Sequence, residues 1–385
     1  MRIPGGPDVD TFLSEYWQKK PLVIRGAFPE LASPVSPDEL AGLACEPTVE
    51  SRLVLDEKDG KPWQLENGPF DPERFSDLPT TGWTLLVQGL DHWVPELAPL
   101  LDRFRFIPNW RLDDIMASYA PEGGSVGPHF DQYDVFLLQA EGCREWHFGG
   151  HCDEQSPRVA ETPLRILKDW QPEETVLLEP GDMLYLPPGI GHHGIARGDC
   201  VTLSVGFRAP SHDDILTGFS DFLCEQAGAE QLLRDPDLTA PENPGEIGPE
   251  AIDRAASVLE DQLRRRRELA LWFGQYTTAP KNDSIVIPPD DPLPEPNALR
   301  EALDSGQTLR WNEGSRFAWH RLSDEETALF VDGERFILRE DARAIAPVLC
   351  AGHQPDPAAL RAFCDDPALA GLMTNLVNHG SLYLE

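Results

Sequence analysis

Short β-like runs between Leu112 and Phe207 constrain the fold more than any other feature of this 385-residue chain. The runs are IMASYA, HFDQYDVFLLQ, REWHFG, ETVLLE, DMLYLP and VTLSVGF. Stretches rich in Gly, Pro and Asp, such as EGGSVGP and EPGD, separate them and favour turns. Regularly spaced short strands of this kind are typical of an antiparallel sandwich or barrel.

The residues before these strands predict helices and two further strands. Apolar spacing predicts a helix over residues 9–19, followed by a short strand in PLVIRG. The SPDE stretch from Ser36 is a capping box with proline at the first helical position, so a helix is expected to start there. WTLLVQGL at 83–90 predicts a buried strand, and the stretch after DHWVPE predicts a helix up to about Leu101.

Beyond Pro210 the sequence changes to a helical pattern and then to a small mixed region. Residues 212–233 and 250–276 have helical spacing, and the proline-rich APKNDSIVIPPDDPLPEPN that follows is typical of a linker. FVDGERFIL predicts a hairpin with a type I′ turn at Asp332-Gly333. Helices are expected near 341–349, 356–364 and 366–378.

Composition excludes several classes of protein. The formal net charge is −34, which opposes direct binding to nucleic acid; it either attracts a basic protein or serves solubility, for instance in salt. No apolar run is long enough to span a membrane, and the N-terminus lacks the apolar stretch of a secretory signal. Seven cysteines without a CxxC pair favour free thiols in a reducing cytoplasm.

The stretch GPHFDQYDVF contains the residues with the clearest chemistry. His129 and Asp131 stand two apart in a strand-like run, so both side chains are expected on one inward face. A buried charge needs a partner, and a metal ion fits an imidazole beside a carboxylate. Candidates for a third ligand are the histidines His147, His151, His192 and His193. Two histidines and one carboxylate leave three coordination positions open, as in non-haem Fe(II) oxygenases.

Four motifs carry a family resemblance. YWQKKPLVI, GPHFDQYDVFLLQ, GDMLYLPPGIGHH and SVGFRAP resemble the JmjC branch of Fe(II)/2-oxoglutarate oxygenases, and more narrowly the bacterial ribosomal oxygenases, which hydroxylate an arginine of the sixteenth large-subunit ribosomal protein. The resemblance implies a mixed α+β fold with a double-stranded β-helix (cupin/JmjC) core, a helical dimerisation region and a C-terminal winged-helix-like domain. The implied boundaries are 1–210 for the catalytic domain, 211–278 for the helical region, 279–296 for a linker and 297–385 for the last domain.

The resemblance also implies roles for individual residues. The family places its distal metal histidine after Pro-Pro-Gly and two further residues, which is His192 here, with His193 facing the other way. Fe(II) would then be held by His129, Asp131 and His192, with O2 and 2-oxoglutarate as co-substrates. Arg144 in EGCREWHF matches the family's cation for the far carboxylate of 2-oxoglutarate. Lesser contacts are expected from Ser118, Tyr119 and Ser204. Tyr133 and Gln132 either shape the substrate mouth or serve packing and surface polarity.

The implied function is hydroxylation of an arginine on a basic ribosomal protein of the large subunit, in the cytoplasm. Alternatives are another JmjC reaction, namely hydroxylation of histidine or asparagine or demethylation, and a non-catalytic cupin-like binding protein. A zinc site at His147, His151 and Cys152 is disfavoured because no matching second pair exists. The apolar stripe at Leu216, Phe219, Phe222 and Leu223 packs either within the chain or on a second copy; the resemblance favours a homodimer.

Overall fold

A computed structural model of the chain describes residues 2–31, 33–56, 63–160, 162–226, 232–281 and 285–385. The α-helices are α1 (Val9–Glu15), α2 (Pro37–Leu43), α3 (Pro72–Ser76), α4 (Ala98–Asp102), α5 (His212–Gln226), α6 (Pro249–Leu263), α7 (Arg266–Thr278), α8 (Pro296–Asp304), α9 (Ile345–Leu349), α10 (Pro357–Phe363) and α11 (Pro367–His379). The strands are β1 (Leu22–Ile24), β2 (Ser51–Leu55), β3 (Gln64–Asn67), β4 (Trp83–Val87), β5 (Leu112–Ala120), β6 (Val135–His151), β7 (Glu174–Leu178), β8 (Met183–Leu186), β9 (Ile190–Phe207), β10 (Leu309–Trp311), β11 (Phe317–Arg321), β12 (Glu326–Val331), β13 (Glu334–Arg339) and β14 (Leu382–Leu384).

Local sequence signals explain the N-terminal elements. The capping box at Ser36 starts α2 as predicted, and the predicted strands β1 and β4 are present. Helix α1 begins after Asp8, whose carboxylate accepts a hydrogen bond from the Thr11 N–H at 3.0 Å. It ends at Glu15 rather than near residue 19, because Gln18 adopts a φ of 57° and donates its backbone N–H to the Tyr185 hydroxyl at 2.8 Å.

The predicted antiparallel strands form one large sheet. Its path is β1-β8-β6-β9-β5-β4-β2-β3, with β7 paired to a second stretch of β6. Two separately predicted strands belong to a single observed strand. Part of HFDQYDVFLLQ and all of REWHFG lie in the 17-residue strand β6. VTLSVGF is likewise only the end of the 18-residue strand β9. The paired β6 and β9 are therefore the centre of the sheet.

An irregularity in β6 decides which of its side chains face inward. The register of β6 against β9 shifts between Gln139 and Glu141, and again between Glu141 and Cys143, where Gly142 has a φ of 60°. An extra residue in one strand reverses the alternation of the side chains that follow. The inward-facing residues of β6 therefore have odd numbers before the shift and even numbers after it.

A buried carboxylate anchors the start of β6. Asp134 is fully buried and accepts hydrogen bonds from Tyr185 Oη at 2.6 Å, Gln18 Nε2 at 2.9 Å and Arg111 Nη2 at 3.0 Å. The rings of Phe12 and Phe136 pack beside Tyr185 in the main hydrophobic core. Asp134 thus ties the segment that follows Asp131 to the core.

The described residues form two compact units. The first contains Met1–Ala209, Lys281–Ser315 and Ala351–Glu385, and the second contains Pro210–Pro280 and Arg316–Cys350. The predicted boundaries at 210, 278 and 296 stay predictions.

The first unit contains, besides the large sheet, the small sheet β10-β14 with α8, α10 and α11. The second contains α5, α6, α7 and the sheet β11-β12-β13. Helix α5 covers the start of the helix predicted at 212–233, of which residues 227–231 lie outside the described residues. The helix predicted at 250–276 is two helices, α6 and α7, which separate at Arg264 and Arg265.

The hairpin predicted at FVDGERFIL is confirmed. Asp332 and Gly333 both have positive φ, 49° and 82°, as a type I′ turn requires between β12 and β13. All seven cysteines carry free thiols. Within the described ranges, no helix combines the length and apolar character needed to cross a membrane.

Candidate metal and co-substrate site

Backbone pairing brings His129 and His192 together. The His129 N–H donates to the His192 carbonyl at 2.9 Å, and the His192 N–H donates to the His129 carbonyl at 2.8 Å. The two residues therefore form a directly opposed antiparallel pair, whose side chains share one face. Their rings lie 4.2 Å apart between centroids. Asp131 joins them, with Oδ2 3.6 Å from His192 Nε2.

The strand predicted over HFDQYDVFLLQ is wrong in its first half, HFDQYD. Regular strand geometry begins only at Val135, although the register of Val135 with Leu186 continues as far as His129 with His192. Pro187 and Pro188 lie opposite the interrupted part, and proline has no N–H to donate to a ladder. Gly189 resumes the pairing by donating its N–H to the Asp131 carbonyl at 2.8 Å.

The predicted inward direction of the side chains nevertheless holds. The odd-numbered side chains His129, Asp131 and Tyr133 line one cavity of about 310 Å³. Phe130 and Gln132 line a separate groove. The sequence pattern therefore predicted the facing of these residues even where no regular strand forms.

Both histidines expose the same ring nitrogen to the cavity side. His129 Nδ1 lies 2.9 Å from the Gly127 carbonyl, and His192 Nδ1 lies 2.9 Å from the Ile190 carbonyl. A carbonyl only accepts, so each Nδ1 carries the proton and each Nε2 keeps its lone pair for a metal. Ligand atoms of His129, Asp131 and His192 all lie within 4.8 Å of one another. In the part of the chain that the structure describes, no other group of three such residues meets this criterion.

Burial separates His192 from its neighbour His193. Burial, and next the nearby His129, lower the pKa of His192 to about 4, so the ring is neutral and able to bind a cation. His193 points the opposite way, with Nε2 2.8 Å from Ser125 Oγ. Burial, and next His147, also lower the pKa of His193 to about 4. Only His192 of the predicted pair joins the cluster.

The cavity is lined by the inward faces of β5, β6 and β9. Its residues from these strands are Met116 and Ser118; Val135, Leu137, Arg144 and Trp146; and His192, Thr202, Ser204 and Gly206. Those of β6 change from odd to even numbers across the irregular register near Gly142. The bulge thereby places Arg144 in the same cavity as the His129–Asp131–His192 cluster.

Arg144 is a buried cation with unused donors. It is 3% exposed, and Nη1 donates to Ser118 Oγ at 3.4 Å. Among the described residues, Arg144 Nε and Nη2 and Trp146 Nε1 are buried without a hydrogen-bond partner. Buried donors of this kind are stabilised by an acceptor from outside the protein, and a carboxylate matches a guanidinium fork. The cavity therefore fits an acid such as 2-oxoglutarate.

Asp56 lies near enough to Arg144 to interact with it and was missed by sequence reasoning. Burial raises the pKa of Asp56 to about 7, against the opposing effects of the Ser125 N–H and Arg144. Near neutral pH the Asp56 carboxyl is thus partly protonated, and it neutralises Arg144 incompletely.

The three lesser candidates have different positions. Ser118 and Ser204 are buried and line the cavity, and their contact with a co-substrate stays a prediction. Tyr119 does not line it, because neighbouring residues of β5 face opposite sides; its ring packs 5.5 Å from that of Trp83.

Tyr133 lines the cavity and Gln132 does not. His147 pairs with Glu145 at 3.0 Å and belongs to no ligand cluster among the described residues.

An acidic wall of the cavity was not predicted. Glu50, Asp113 and Asp114 line it together with Gln88 and Lys281. Asp114 in LDDIMASYA was a signal for this wall, because Asp114, Met116 and Ser118 alternate along β5. Asp113 was not, because alternation alone would place it on the opposite face, and it lines the cavity where the register of β5 is irregular between Leu112 and Ile115. Lys281 comes from a distant part of the chain and has no comparable local signal.

Comparisons with known proteins agree with this geometry. The chain matches the JmjC domain over residues 99–215 and the ROXA-like winged helix over residues 257–383. The ribosomal protein uL16 3-hydroxylase of Escherichia coli is 35% identical over 381 residues, which cover 97% of each chain. An X-ray structure of E. coli ycfD matches with a TM-score of 0.89 and 34% identity over 98% of both chains. A structure of the ribosomal oxygenase YcfD with cobalt and 2-oxoglutarate matches with a TM-score of 0.86, 34% identity and the same coverage.

Fold and site together define a JmjC-type dioxygenase that uses Fe(II) and 2-oxoglutarate. The predicted mixed α+β fold, with its JmjC core and C-terminal winged helix, is confirmed. The chain belongs to the family of ribosomal oxygenases. The alternative of a non-catalytic cupin-like protein is wrong.

Alanine substitutions of His192 and of His193 should have opposite effects on metal binding. His192→Ala removes an imidazole whose Nε2 faces the cluster and should abolish binding of Fe(II) or Co(II). His193→Ala removes a ring that contacts Ser125 and should retain it. Anaerobic titration with Co(II), followed by its visible absorption, measures both. Metal binding by His192→Ala with loss in His193→Ala would move the ligand by one residue.

Proposed function

We propose that this chain hydroxylates an arginine side chain of the large-subunit ribosomal protein uL16, coupled to oxidation of 2-oxoglutarate by O2. The observation that carries the proposal is one cavity that joins three elements: the His129–Asp131–His192 cluster, the buried Arg144 and an acidic wall. The substrate is supported by the 35% identity to the E. coli uL16 3-hydroxylase over 97% of both chains.

In this proposal His129, Asp131 and His192 hold Fe(II) on one face. Bound iron supplies the activation of O2 and the oxidation of a C–H bond, while the protein supplies orientation and exclusion of water. The Gly127 and Ile190 carbonyls fix the two rings through their Nδ1–H groups. Because these partners are backbone atoms, the orientation of both ligands follows from the fold.

Arg144 then binds the far carboxylate of 2-oxoglutarate. Its Nε and Nη2 supply two donors on one edge of the guanidinium, which matches a carboxylate bidentately. Ser118 and Ser204 support this end of the cavity, Ser118 through its contact with Arg144. A low-dielectric setting strengthens such a contact relative to one in water.

An arginine side chain suits the opposite wall. The carboxylates of Asp113 and Asp114 offer acceptors for a guanidinium, and Met116 and Tyr133 offer apolar surface for its stem. The net charge of −34 favours a basic polypeptide over nucleic acid. Such a substrate is available in the cytoplasm before uL16 is buried in ribosomal RNA.

The helical region supports a homodimer. Phe219 and Leu223 of the predicted stripe pack against Trp272 within the chain, whereas Leu216 is exposed. Helix α6 has no buried residue, yet Ile252, Leu259 and Leu263 follow helical spacing along one face, each more than half exposed. An uncovered apolar face of this kind favours contact with a second copy. Residues 211–278 thus serve dimerisation, and 279–296 link them to the domain at 297–385.

Arg144→Ala should raise the KM for 2-oxoglutarate strongly and leave metal binding nearly unchanged. A charge-assisted contact in a buried pocket contributes about 1.5–3 kcal/mol, or roughly 10- to 150-fold in KM. Ser118→Ala, which removes a single contact of 3.4 Å, should have a smaller effect. Steady-state kinetics and thermal melting of both variants test this, and an unchanged KM would assign Arg144 a structural role.

Arginine-containing peptides of uL16 should gain 16 Da when incubated with the protein, Fe(II), ascorbate and 2-oxoglutarate. Tandem mass spectrometry should place the oxygen on arginine, and peptides with lysine at that position serve as the matched control. The ratio kcat/KM should fall as ionic strength rises, because screening shortens the field to about 8 Å near 0.15 M. Oxygen on histidine or asparagine, or loss of a methyl group from lysine, would retain the oxygenase and discard this substrate.

Sedimentation at micromolar concentration should give a species with the mass of two 42.9 kDa chains. Leu259→Glu combined with Leu263→Glu should dissociate it, because buried charge in an apolar contact is unfavourable. Leu177→Glu, at an exposed leucine of β7, is the matched control and should leave the dimer intact. A wild-type chain that sediments only as a monomer would contradict the assembly.

A further inference from the structure

Lys281 places a positive charge in the acidic wall of the cavity. Its side chain lines the cavity together with His129, Asp131 and Tyr133. Nζ forms an ion pair with Asp113 and lies 3.8 Å from Asp114 Oδ2. Lys281 is one of only six lysines in a chain with 66 acidic residues, so its position in this wall does not follow from a high lysine content.

The two carboxylates are held in place by other contacts. Arg208 Nε donates to Asp113 Oδ1 at 3.1 Å, and Lys281 Nζ donates to Asp113 Oδ2. Gln88 Nε2 donates to both oxygens of Asp114 at 3.0 and 2.9 Å. Asp113 and Asp114 are therefore fixed, whereas the Lys281 side chain is 46% exposed and carries a long flexible stem.

We propose that Lys281 is a resident cation, which neutralises Asp113 and Asp114 until the guanidinium of the substrate arginine displaces it. The inference rests on the proposed arginine substrate. Without Lys281, the single positive charge of Arg208 would face two neighbouring carboxylates of low exposure, and the excess negative charge would be unfavourable. Lys281 relieves this in the free enzyme and swings into solvent when the substrate enters.

The geometry of the two cations makes the exchange favourable for arginine. An ammonium is a compact charge, and Lys281 Nζ pairs closely with Asp113 while remaining 3.8 Å from Asp114. A planar guanidinium carries five N–H donors in a fixed fork and can donate to both carboxylates at once. An incoming lysine has no such advantage over the resident one, so Lys281 acts as a specificity-determining residue.

Replacement of Lys281 separates this role from a simple surface ion pair. Lys281→Met keeps the apolar stem and removes the competing charge, so the Kd and KM for a uL16 arginine peptide should fall about two- to fivefold, the range of an exposed ion pair. Lys281→Arg retains a cation and should not lower either value. Lys20→Met, which removes a lysine of similar exposure paired with Glu15, controls for net charge and should leave both unchanged. Equal or weaker binding by Lys281→Met, or an equal gain in Lys20→Met, would overturn the proposal.

Amine labelling tests the exchange without catalysis. Limited acetylation of the wild-type protein, followed by peptide mass spectrometry, should modify Lys281 more slowly than Lys20, although their side chains are 46% and 53% exposed. N-acetyl-arginine amide should raise the rate at Lys281 by about twofold or more, and the neutral N-acetyl-citrulline amide should not. No change at Lys281 would overturn the resident cation even if uL16 peptides are hydroxylated. Release of Lys281 without hydroxylation of those peptides would retain the cation exchange and remove the proposed substrate.

Discussion

The pair of peptide hydrogen bonds between His129 and His192 is the constraint on which the site depends. It joins two segments 63 residues apart and orients both imidazoles toward one cavity. Each ring is then fixed by a backbone carbonyl two residues earlier in the chain, so no other side chain is needed for orientation. Asp134, buried in the core three residues after Asp131, holds the same segment at its other end. The ligand segment is thus fixed at both ends although it is not a regular strand.

The irregular register in β6 has an equally direct consequence for chemistry. Without it, Arg144 would fall on the face opposite to Val135 and Leu137, and the cavity would have no buried cation. Gly142, with a φ of 60°, permits the irregularity; a Cβ there would lie 2.0 Å from the Asp199 carbonyl oxygen. One backbone feature therefore places the anion-binding group and the metal-binding group in a single cavity.

Sequence patterns predicted the parts of the site that depend on neighbouring residues. They did not predict the parts that depend on contacts between segments distant in the chain. Alternation in HFDQY predicted the facing of His129 and Asp131. For the pair His192-His193 it allowed only one ligand, and the family resemblance placed that ligand at His192. It did not predict the interruption of the strand, because this depends on Pro187 and Pro188 lying opposite in space. Tyr119 was misplaced beside Ser118 although alternation already separated them. Lys281 could not be found, since it reaches Asp113 across 168 residues of sequence.

Charge acts on two length scales in this protein. The net charge of −34 attracts any basic chain. Its electrostatic field is screened within about 8 Å at physiological salt, so it raises the rate of encounter without selecting a particular side chain. Selection requires contacts that differ between cations, and the cavity wall supplies them through two carboxylates fixed by Arg208 and Gln88. A cavity that is merely acidic would bind lysine and arginine alike. Carboxylates already paired with Lys281 select for the cation whose geometry improves on that pairing, and this favours the guanidinium.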